Sequence, residues 1–334
     1  MKIHAQAAMQ AKGELRPFEY DPASVGPYDV EVEISHCGVC YSDIHLIDDD
    51  WKKSVYPFVP GHEIVGRVAK RGALVTHVKE GDRVGIGWQR SACLMCDECL
   101  RGEENLCLTQ EATCVRHHGG LADRIVADAR FALPIPAGID SAAAAPLLCG
   151  GVTVYSPMRR FRIDASKTVG VIGIGGLGHM AIAIARALGA EVIAFSSSAS
   201  KRDEALRMGA HEFVSSTDVR EIKKLGMAID LLLSTVHVKL DWVTYMQTLK
   251  TNGVLCFVGA LQGFLQIPPL AMMNQRSVVL SEIGSRSAIV DLLRMAERHR
   301  IVPEIEVSPM AEAQPAIQRL RENKVRYRAV LANG

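Results

Sequence analysis

The chain has 334 residues, and because typical domains hold roughly 100 to 200 residues, this length predicts two domains. Hydrophobic residues make up 48% and charged residues 22%, as in an ordinary globular protein. The 38 basic and 37 acidic residues leave a formal net charge of +1, which excludes a strong electrostatic attraction to nucleic acid or to an anionic membrane surface.

The chain begins without the apolar run and cleavage site of a secretory signal, and its most apolar segment, residues 169–185, is interrupted by glycines and His179. We therefore expect a cytoplasmic protein that does not span a membrane. Because that compartment is reducing, the nine cysteines are poor candidates for disulfides, and their clustered spacing indicates metal binding.

The first half of the chain predicts a β-rich domain with long loops, since short β-type runs at residues 30–34, 64–68 and 83–86 alternate with Gly, Pro and Asp. After Gly150, strand-length apolar runs alternate with helix-length segments, which predicts a parallel sheet with crossover helices. These runs are residues 168–174, 191–196, 229–234, 254–258 and 278–283. A helix at 311–323 and a strand at 327–331 are too little for a domain, and we expect them to pack on the first half.

Residues 37–45 and 60–63 bring together side chains that could hold a catalytic metal. A catalytic zinc site has three protein ligands and one open position. This region offers thiols, a hydroxyl, carboxylates and imidazoles, on Cys37, Cys40, Ser42, Asp43, His45, His62 and Glu63. Taken singly, each has an ordinary alternative: a lone histidine is more often a satisfied core or surface group, and a cysteine can pack as a small hydrophobe.

Four further cysteines follow at spacings that predict a structural zinc site: Cys93, Cys96, Cys99 and Cys107. Four thiolates can close around Zn²⁺ as a tetrahedron and leave no position for water. Four unrelated thiols are disfavoured because the loop is otherwise full of charged residues and glycine. A zinc module that binds nucleic acid is disfavoured because its flanks are neutral to acidic.

Residues 169–178 predict a dinucleotide site, because a strand runs directly into Gly173, Gly175, Gly176, Leu177 and Gly178 and then into a helix. In this pattern the first glycine makes the turn, the second admits the pyrophosphate, the third packs helix on strand, and the helix N-terminus faces the anion. The alternative is a glycine-rich turn without a ligand, which the flanking strand and helix disfavour.

The end of the next strand favours NADPH over NADH. An NAD site places Asp or Glu there to bind the ribose hydroxyls, whereas this chain has Ser196. Hydroxyls and cations that could bind a 2′-phosphate follow, on Ser197, Ser198, Lys201 and Arg202. The alternative is that Lys201 and Arg202 only form the solvated start of a helix.

Four motifs stand in one order along nearly the whole chain: residues 38–45, Pro60-Gly61-His62-Glu63, the cysteine quartet, and Leu148-Cys149-Gly150-Gly151-Val152-Thr153. In this order they resemble the zinc-containing medium-chain alcohol dehydrogenases. Residues 87–88, 146–151 and 171–179 are most similar to the cinnamyl-alcohol-dehydrogenase-type branch, and there to broad-range NADPH-dependent aldehyde reductases of bacteria. The resemblance implies an α/β protein with a GroES-like β-rich catalytic domain at 1–147 and 285–334, a Rossmann NADP-binding domain at 148–284, and a homodimer.

The resemblance also implies roles for individual residues. Cys40, His62 and Cys149 would hold the catalytic zinc, with Asp43 orienting His62 and Glu63 beside the metal, so that the chain would bind two zinc ions with the quartet included. Ser42 and His45 would relay a proton, and Thr153 would contact the nicotinamide. Trp51 and Trp88 fall near positions that line the substrate cleft in relatives, although tryptophan is more often part of a core than of a pocket. Tyr41 replaces the basic residue that many relatives direct to the pyrophosphate, so that part of the cofactor affinity must come from elsewhere.

The predicted function is zinc-dependent hydride transfer between NADPH and a small aldehyde to give a primary alcohol, with reduction favoured. The alternative is an NAD-dependent zinc dehydrogenase of polyols or other secondary alcohols, which Ser196 disfavours. A non-catalytic zinc or nucleotide-binding protein would not need Cys40, His62, Cys149, Ser42 and His45 together.

Overall fold

A computed structural model describes residues 2–259 and 265–334. Two compact units are present: Met1–Cys149 with Ser285–Gly334, and Gly150–Gly284. The first segment of the first unit was expected to end at residue 147, but in the structure it ends at residue 149. Cys149 therefore belongs to the first unit.

The strands of the described residues alternate with loops in the first unit and with helices in the second. In chain order they are β1 (Ile3–Ala8), β2 (Leu15–Tyr20), β3 (Asp29–Val39), β4 (Glu63–Arg71), β5 (Arg83–Ile86), β6 (Gln89–Ser91), β7 (Glu111–Ala112), β8 (Arg124–Asp128), β9 (Leu133–Pro134), β10 (Thr168–Ile172), β11 (Glu191–Ser196), β12 (Glu212–Ser215), β13 (Ile229–Ser234), β14 (Leu249–Val258), β15 (Ser277–Ser281), β16 (Ile305–Pro309) and β17 (Arg328–Ala332).

The α-helices are short. They are α1 (Tyr41–Ile47), α2 (Asp97–Leu100), α3 (Ser141–Pro146), α4 (Val152–Arg160), α5 (Gly178–Ala187), α6 (Arg202–Arg207), α7 (Val219–Lys224), α8 (Trp242–Gln247), α9 (Arg286–His299) and α10 (Ala313–Arg321). Within the described ranges, no helix combines the length and the apolarity that crossing a bilayer requires.

The first unit is built on a seven-stranded sheet in the order β16-β17-β3-β4-β5-β9, with β8 also paired to β3. In β3 the apolar residues Val30, Val32 and Ile34 alternate and are buried in the core. Burying such a side chain stabilises the folded state by roughly 1.5–3 kcal/mol relative to leaving it exposed. Glu31, also buried, is held by Arg124 at 2.8 Å and Lys70 at 3.1 Å.

The tail of the chain completes this sheet, because β17 pairs antiparallel with β3. The sequence analysis placed one helix and one strand in the tail, but the structure has two of each, adding α9 and β16. Helix α9 buries Ile289, Leu292, Leu293 and Ala296 at the three-and-four spacing of an amphipathic helix. Its start is capped by Ser285, which accepts a hydrogen bond from the Ala288 N–H at 3.3 Å.

The second unit has a six-stranded parallel sheet in the order β12-β11-β10-β13-β14-β15. The predicted parallel sheet with crossover helices is therefore confirmed. Its order is that of a doubly wound fold, in which the strand order reverses between β10 and β13. Ligands of such folds bind at the carboxyl ends of the strands near this reversal. The sequence analysis did not find β12, whose four residues include only two buried apolar side chains, Phe213 and Val214.

Candidate metal centre and nucleotide site

Asp43 connects the start of α1 to the turn before β4. Its carboxylate accepts one hydrogen bond from the Cys40 N–H and another from the Gly61 N–H, both at 2.9 Å. It also lies 3.0 Å from Nδ1 of His62, and both side chains are buried. This hydrogen bond keeps the imidazole proton on Nδ1, so that Nε2 presents a lone pair.

The donor group consists of Cys40, His62, Glu63 and Cys149, whose ligand atoms all lie within 4.8 Å of one another. Nε2 of His62 is buried and has no hydrogen-bond partner in the part of the chain that the structure describes. A buried acceptor without a partner is unusual and calls for a ligand. Two thiols and an imidazole are donors that zinc takes at sites with an open position, so the residues present fit a catalytic zinc ion.

The environment of Cys40 favours the form of the side chain that binds metal. A hydrogen bond with Cys149 holds the pKa of Cys40 well below its usual range; burial acts in the opposite direction, while His62 and Arg328 reinforce the shift. The thiolate, not the thiol, is the metal ligand.

Cys149 reaches the donor group from an unusual piece of backbone. Residues Leu147–Gly151 form a π-helical turn between α3 and α4. Such turns carry an extra residue relative to an α-helix and often occur at functional sites. The motif around Cys149 was visible in the sequence, but the π-helical turn was not predicted.

Glu63 is held at the edge of the donor group by Arg328, whose guanidinium donates a hydrogen bond to Oε1 of the carboxylate. Both side chains are buried. Burial raises the pKa of Glu63 to about 7, while Arg328 acts to lower it. Gly38 faces Glu63 across the sheet, and a Cβ there would lie 2.1 Å from Oε2, so this position admits only glycine. The sequence analysis missed Arg328, although one basic residue in an apolar final strand was an available signal.

The two residues predicted to relay a proton lie three positions apart on α1, which places them on the same face of the helix. Oγ of Ser42 lies 3.7 Å from Sγ of Cys40. Nδ1 of His45 lies 2.7 Å from a carboxylate oxygen of Asp50, a residue that the sequence analysis did not single out. The signal for Asp50 was weak, because two other aspartates precede it directly.

Aromatic rings connect the histidine of the predicted relay to the histidine of the donor group. Ring centroids are 5.2 Å apart for His45 and Trp51, 6.2 Å for Trp51 and Trp88, and 4.9 Å for Trp88 and His62. Both indoles are half-buried. Tyr41 is partly exposed, with its ring 5.2 Å from that of His45. The indoles therefore form a wall beside the donor group.

The cysteine quartet forms a second group, with ligand atoms within 4.8 Å of one another. Sγ of Cys93 lies 3.9 Å from that of Cys99 and 3.6 Å from that of Cys107. Tetrahedral zinc with bonds of about 2.3 Å separates its sulfurs by about 3.8 Å. All four cysteines are free of disulfides, and their spacing fits a closed zinc site.

The glycine-rich turn follows β10 directly. Gly173 has φ +91°, which a residue with a side chain rarely adopts, and a Cβ on Gly178 would lie 1.8 Å from the Gly173 carbonyl oxygen. At Gly175 no atom would contact an added Cβ within 4 Å, so its backbone faces open space. Gly176 and Leu177 complete the turn before α5.

A cavity of about 370 Å³ lies beside this turn, at the ends of β10, β11 and β13. Gly173, Gly175, Ser196, Ser197 and Lys201 line it, and no carboxylate does so among the described residues. Nζ of Lys201 donates a hydrogen bond to the Ile174 carbonyl. Ser196, Ser197 and Lys201 therefore give this largely apolar cavity a polar part with one cation, which suits a phosphate.

Six of the predicted cofactor residues lie outside the lining of this cavity: Thr153, Gly176, Leu177, Gly178, Ser198 and Arg202. The Arg202 guanidinium lies 5.7 Å from the centre of the Phe213 ring, a cation–π contact. Ser198 donates its N–H to Oγ of Ser196 at 3.2 Å and its hydroxyl lies 2.8 Å from that of Ser200. Thr153 is buried at the second position of α4.

Family profiles match both units of the chain. The alcohol dehydrogenase GroES-like domain matches residues 26–137, and the zinc-binding dehydrogenase domain matches residues 176–298. Together with the sheet orders described above, these matches confirm the predicted combination of a GroES-like unit and a Rossmann unit.

Three proteins are similar to this chain over nearly their full length. The aldehyde reductase AdhA of Synechocystis sp. is 46% identical over 333 residues, covering 99% of both chains. A cinnamyl alcohol dehydrogenase structure from Sorghum bicolor is 37% identical, with a TM-score of 0.95, covering 99% of this chain and 98% of its own. A cinnamyl alcohol dehydrogenase from Helicobacter pylori in complex with NADP(H) is 31% identical, with a TM-score of 0.91 and the same coverage.

Proposed function

Because the chain belongs to the zinc-containing medium-chain alcohol dehydrogenase family, we propose that it reduces aldehydes to primary alcohols with NADPH. In this reaction the cofactor gives a hydride to the carbonyl carbon, and the oxygen gains a proton. The observation that carries the proposal is the donor group of Cys40, His62 and Cys149 with its unpartnered Nε2. The similarity to an aldehyde reductase and to an NADP(H) complex supports the same reaction.

We assign the catalytic zinc to Cys40, His62 and Cys149. A zinc ion held there supplies a Lewis acid for the carbonyl oxygen, which gains negative charge during hydride transfer. Asp43 would keep His62 in the tautomer that binds through Nε2. The Arg328 guanidinium would keep Glu63 beside the metal while occupying only one of the two carboxylate oxygens. The other, Oε2, has no hydrogen-bond partner among the described residues.

Ser42 and His45 would move the proton. The serine hydroxyl is next to Cys40, and the imidazole is held by Asp50 at 2.7 Å. A carboxylate at Nδ1 orients the ring toward the proposed relay, and an imidazole is the side chain that exchanges protons most readily in the neutral pH range. We therefore add Asp50 to the proposed relay as a positioning residue.

NADPH would bind the second unit at the cavity beside Gly173 and Gly175. The turn and the N-terminus of α5 suit the pyrophosphate, and Ser196, Ser197 and Lys201 suit the 2′-phosphate. Arg202 has a smaller role than Lys201 in binding the 2′-phosphate, because its guanidinium stacks on Phe213. Thr153 remains our candidate for the nicotinamide contact.

Three further features remain part of the proposal. A structural zinc at Cys93, Cys96, Cys99 and Cys107 would raise the metal content to two ions per chain, which the sulfur spacings support. Nine free thiols suit the reducing cytoplasm. A homodimer is supported by β15, an edge strand of the second sheet that exposes Leu280.

The experiment is a panel of aromatic and aliphatic aldehydes, polyols and secondary alcohols, assayed with NADPH and NADH before and after removal of zinc. We expect the highest kcat/KM for an aldehyde with NADPH and loss of activity on chelation, restored by added Zn²⁺. Activity confined to polyols or secondary alcohols with NAD would overturn the proposal. Activity unchanged by a Cys40→Ala substitution would overturn the metal assignment.

A further inference from the structure

The first unit contains a second cavity, distinct from the donor group of Cys40, His62, Glu63 and Cys149. Its volume is about 380 Å³, which is within the range of roughly 300–1,000 Å³ for small-molecule pockets. It lies among β2 and the following turn, the loop before Val59, the β6 strand, the loop before Gly119, and β8. None of the four donor residues lines it, and neither do Trp51 or Trp88.

The cavity carries an excess of basic side chains. Arg90, Arg116, His117 and His118 line it, and among the described lining residues Asp21 is the sole carboxylate, exposed to solvent. This set differs from the rest of the chain, where basic and acidic residues nearly balance. The wall therefore carries a positive charge that favours an anion.

Arg90 has no carboxylate in direct contact within the described ranges. The hydrogen bond recorded for its guanidinium is a long one, 3.4 Å to the Val126 carbonyl. Two acidic groups nearby have other partners: Glu111 lies 2.9 Å from Ser91 and 3.3 Å from His117, and Asp128 binds Arg130. Burial lowers the pKa of Arg90. A half-buried cation without a contacting counter-ion is costly, and an anion in the cavity would offset that cost.

The opposite part of the cavity is apolar. Ile3 and Ile125 are buried, and Val55 and Pro57 lie at the mouth. The ring of Tyr20 contacts that of His118 at a tilt of 49°, with centroids 4.3 Å apart. A ligand that only carries charge would leave this wall unused, whereas a planar or short-chain apolar body would cover it.

We propose that this cavity is a non-catalytic binding site for a small organic carboxylate with an apolar, planar body. The carboxylate accepts hydrogen bonds from Arg90, with Arg116 at the entrance adding charge. The apolar body has the Tyr20 and His118 ring pair on one side. On the other side it contacts the Ile3 and Ile125 side chains. None of the donor residues lines the cavity, so its occupation does not require displacement of a substrate at the donor group.

The test is equilibrium dialysis of the full-length, zinc-loaded protein against trans-cinnamate. Inhibition of aldehyde reduction by cinnamate is measured separately, because it reports binding at the active site. We expect saturable binding that Arg90→Gln weakens by about tenfold or more, the loss expected for a charge-assisted hydrogen bond. The inhibition constant and kcat/KM for the aldehyde should stay within about twofold, since neither the donor residues nor the indoles line this cavity. Arg16→Gln, at an arginine whose side chain is 72% exposed, is the matched control and should bind cinnamate as the wild type does.

The outcomes separate cleanly. Equal cinnamate binding by wild type, Arg90→Gln and Arg116→Gln overturns the proposal. Cinnamate binding that is detected only as inhibition at the active site also overturns it. Inorganic phosphate binding as tightly as cinnamate overturns the apolar part of the assignment. If Arg90→Gln does not fold, as judged by Tm and activity, the exposed Arg116 carries the test through Arg116→Gln, for which we expect weaker binding in the same direction.

Discussion

Asp43 and His62 form a buried hydrogen bond of 3.0 Å across 19 positions of the chain, and the same carboxylate also holds the backbone of Cys40. One side chain therefore sets the position of two proposed zinc ligands. The Asp43 carboxylate has no other role in the proposed chemistry, which makes it a clean test of how the metal site is organised.

Asp43→Asn should lower the affinity of the catalytic site for zinc by about 10- to 100-fold, the usual effect of removing a partner of a ligating histidine. The measurement is zinc content per chain after dialysis against graded chelator. The quartet should keep its metal, so the content should fall from two ions toward one. Asp48→Asn is the control at the far end of α1, where the carboxylate binds Arg321 instead. Equal zinc retention by both variants would contradict the assigned role of Asp43.

Arg328→Met should destabilise the fold by about 3–5 kcal/mol, because it leaves the buried Glu63 carboxylate without its counter-ion. Chemical unfolding measures the change. The double variant Glu63→Gln, Arg328→Met should recover part of the loss, since neither position then carries a buried charge. Arg319→Met, which breaks a more exposed pair with Glu306, should cost no more than about 1 kcal/mol. A loss for Arg328→Met as small as that would show that the buried pair is not needed for stability.

Asp50→Asn should reduce kcat by about tenfold while leaving KM nearly unchanged, because Asp50 orients His45 without touching substrate in the proposed site. Asp49→Asn is the matched neighbour; its carboxylate accepts a hydrogen bond from the Ser54 N–H and not from His45. The proposed role of Asp50 in positioning His45 would be wrong if the two variants had the same kcat.

Lys201→Ala should lower the ratio of kcat/KM for NADPH over NADH by about tenfold or more, as expected for the loss of one charge-assisted contact to the 2′-phosphate. Arg202→Ala should change this ratio far less, because its guanidinium stacks on Phe213 outside the cavity lining. Steady-state kinetics with both cofactors provides the comparison. A larger effect at Arg202 would reverse our assignment of the phosphate contact.

His36→Gln should flatten the loss of stability below about pH 6.5, the ordinary pKa of histidine. Burial lowers the pKa of His36, partly opposed by Asp140, so the unfolded chain binds a proton more readily than the folded one. Stability is therefore complete above the unfolded pKa and declines as the pH falls below it. Urea unfolding from pH 5 to 8 measures the slope. His4→Gln, at a side chain that is 64% exposed, should leave the slope as it is, and an equal change at both positions would refute the explanation.

The parts that were predictable from the chain alone are those encoded over short distances. The cysteine quartet spans 15 residues, and the glycine turn lies between a strand and a helix, so spacing alone indicated both. The strands β5, β11 and β13 agree with the predicted runs residue for residue. Helix α9 was not predicted, although its apolar residues recur at the regular spacing of an amphipathic helix.

Local pattern determined the chemistry of this protein: which thiols and imidazoles are present, which turn meets a phosphate, and which half is α/β. Tertiary structure alone decided which side chains meet. Arg328 reaches Glu63 only because β17 pairs with β3, and the carboxylate-binding cavity draws on segments from Ile3 to Val126. Contacts of that kind arise from burial and strand pairing across the whole chain, so their partners share no spacing that a single sequence could reveal.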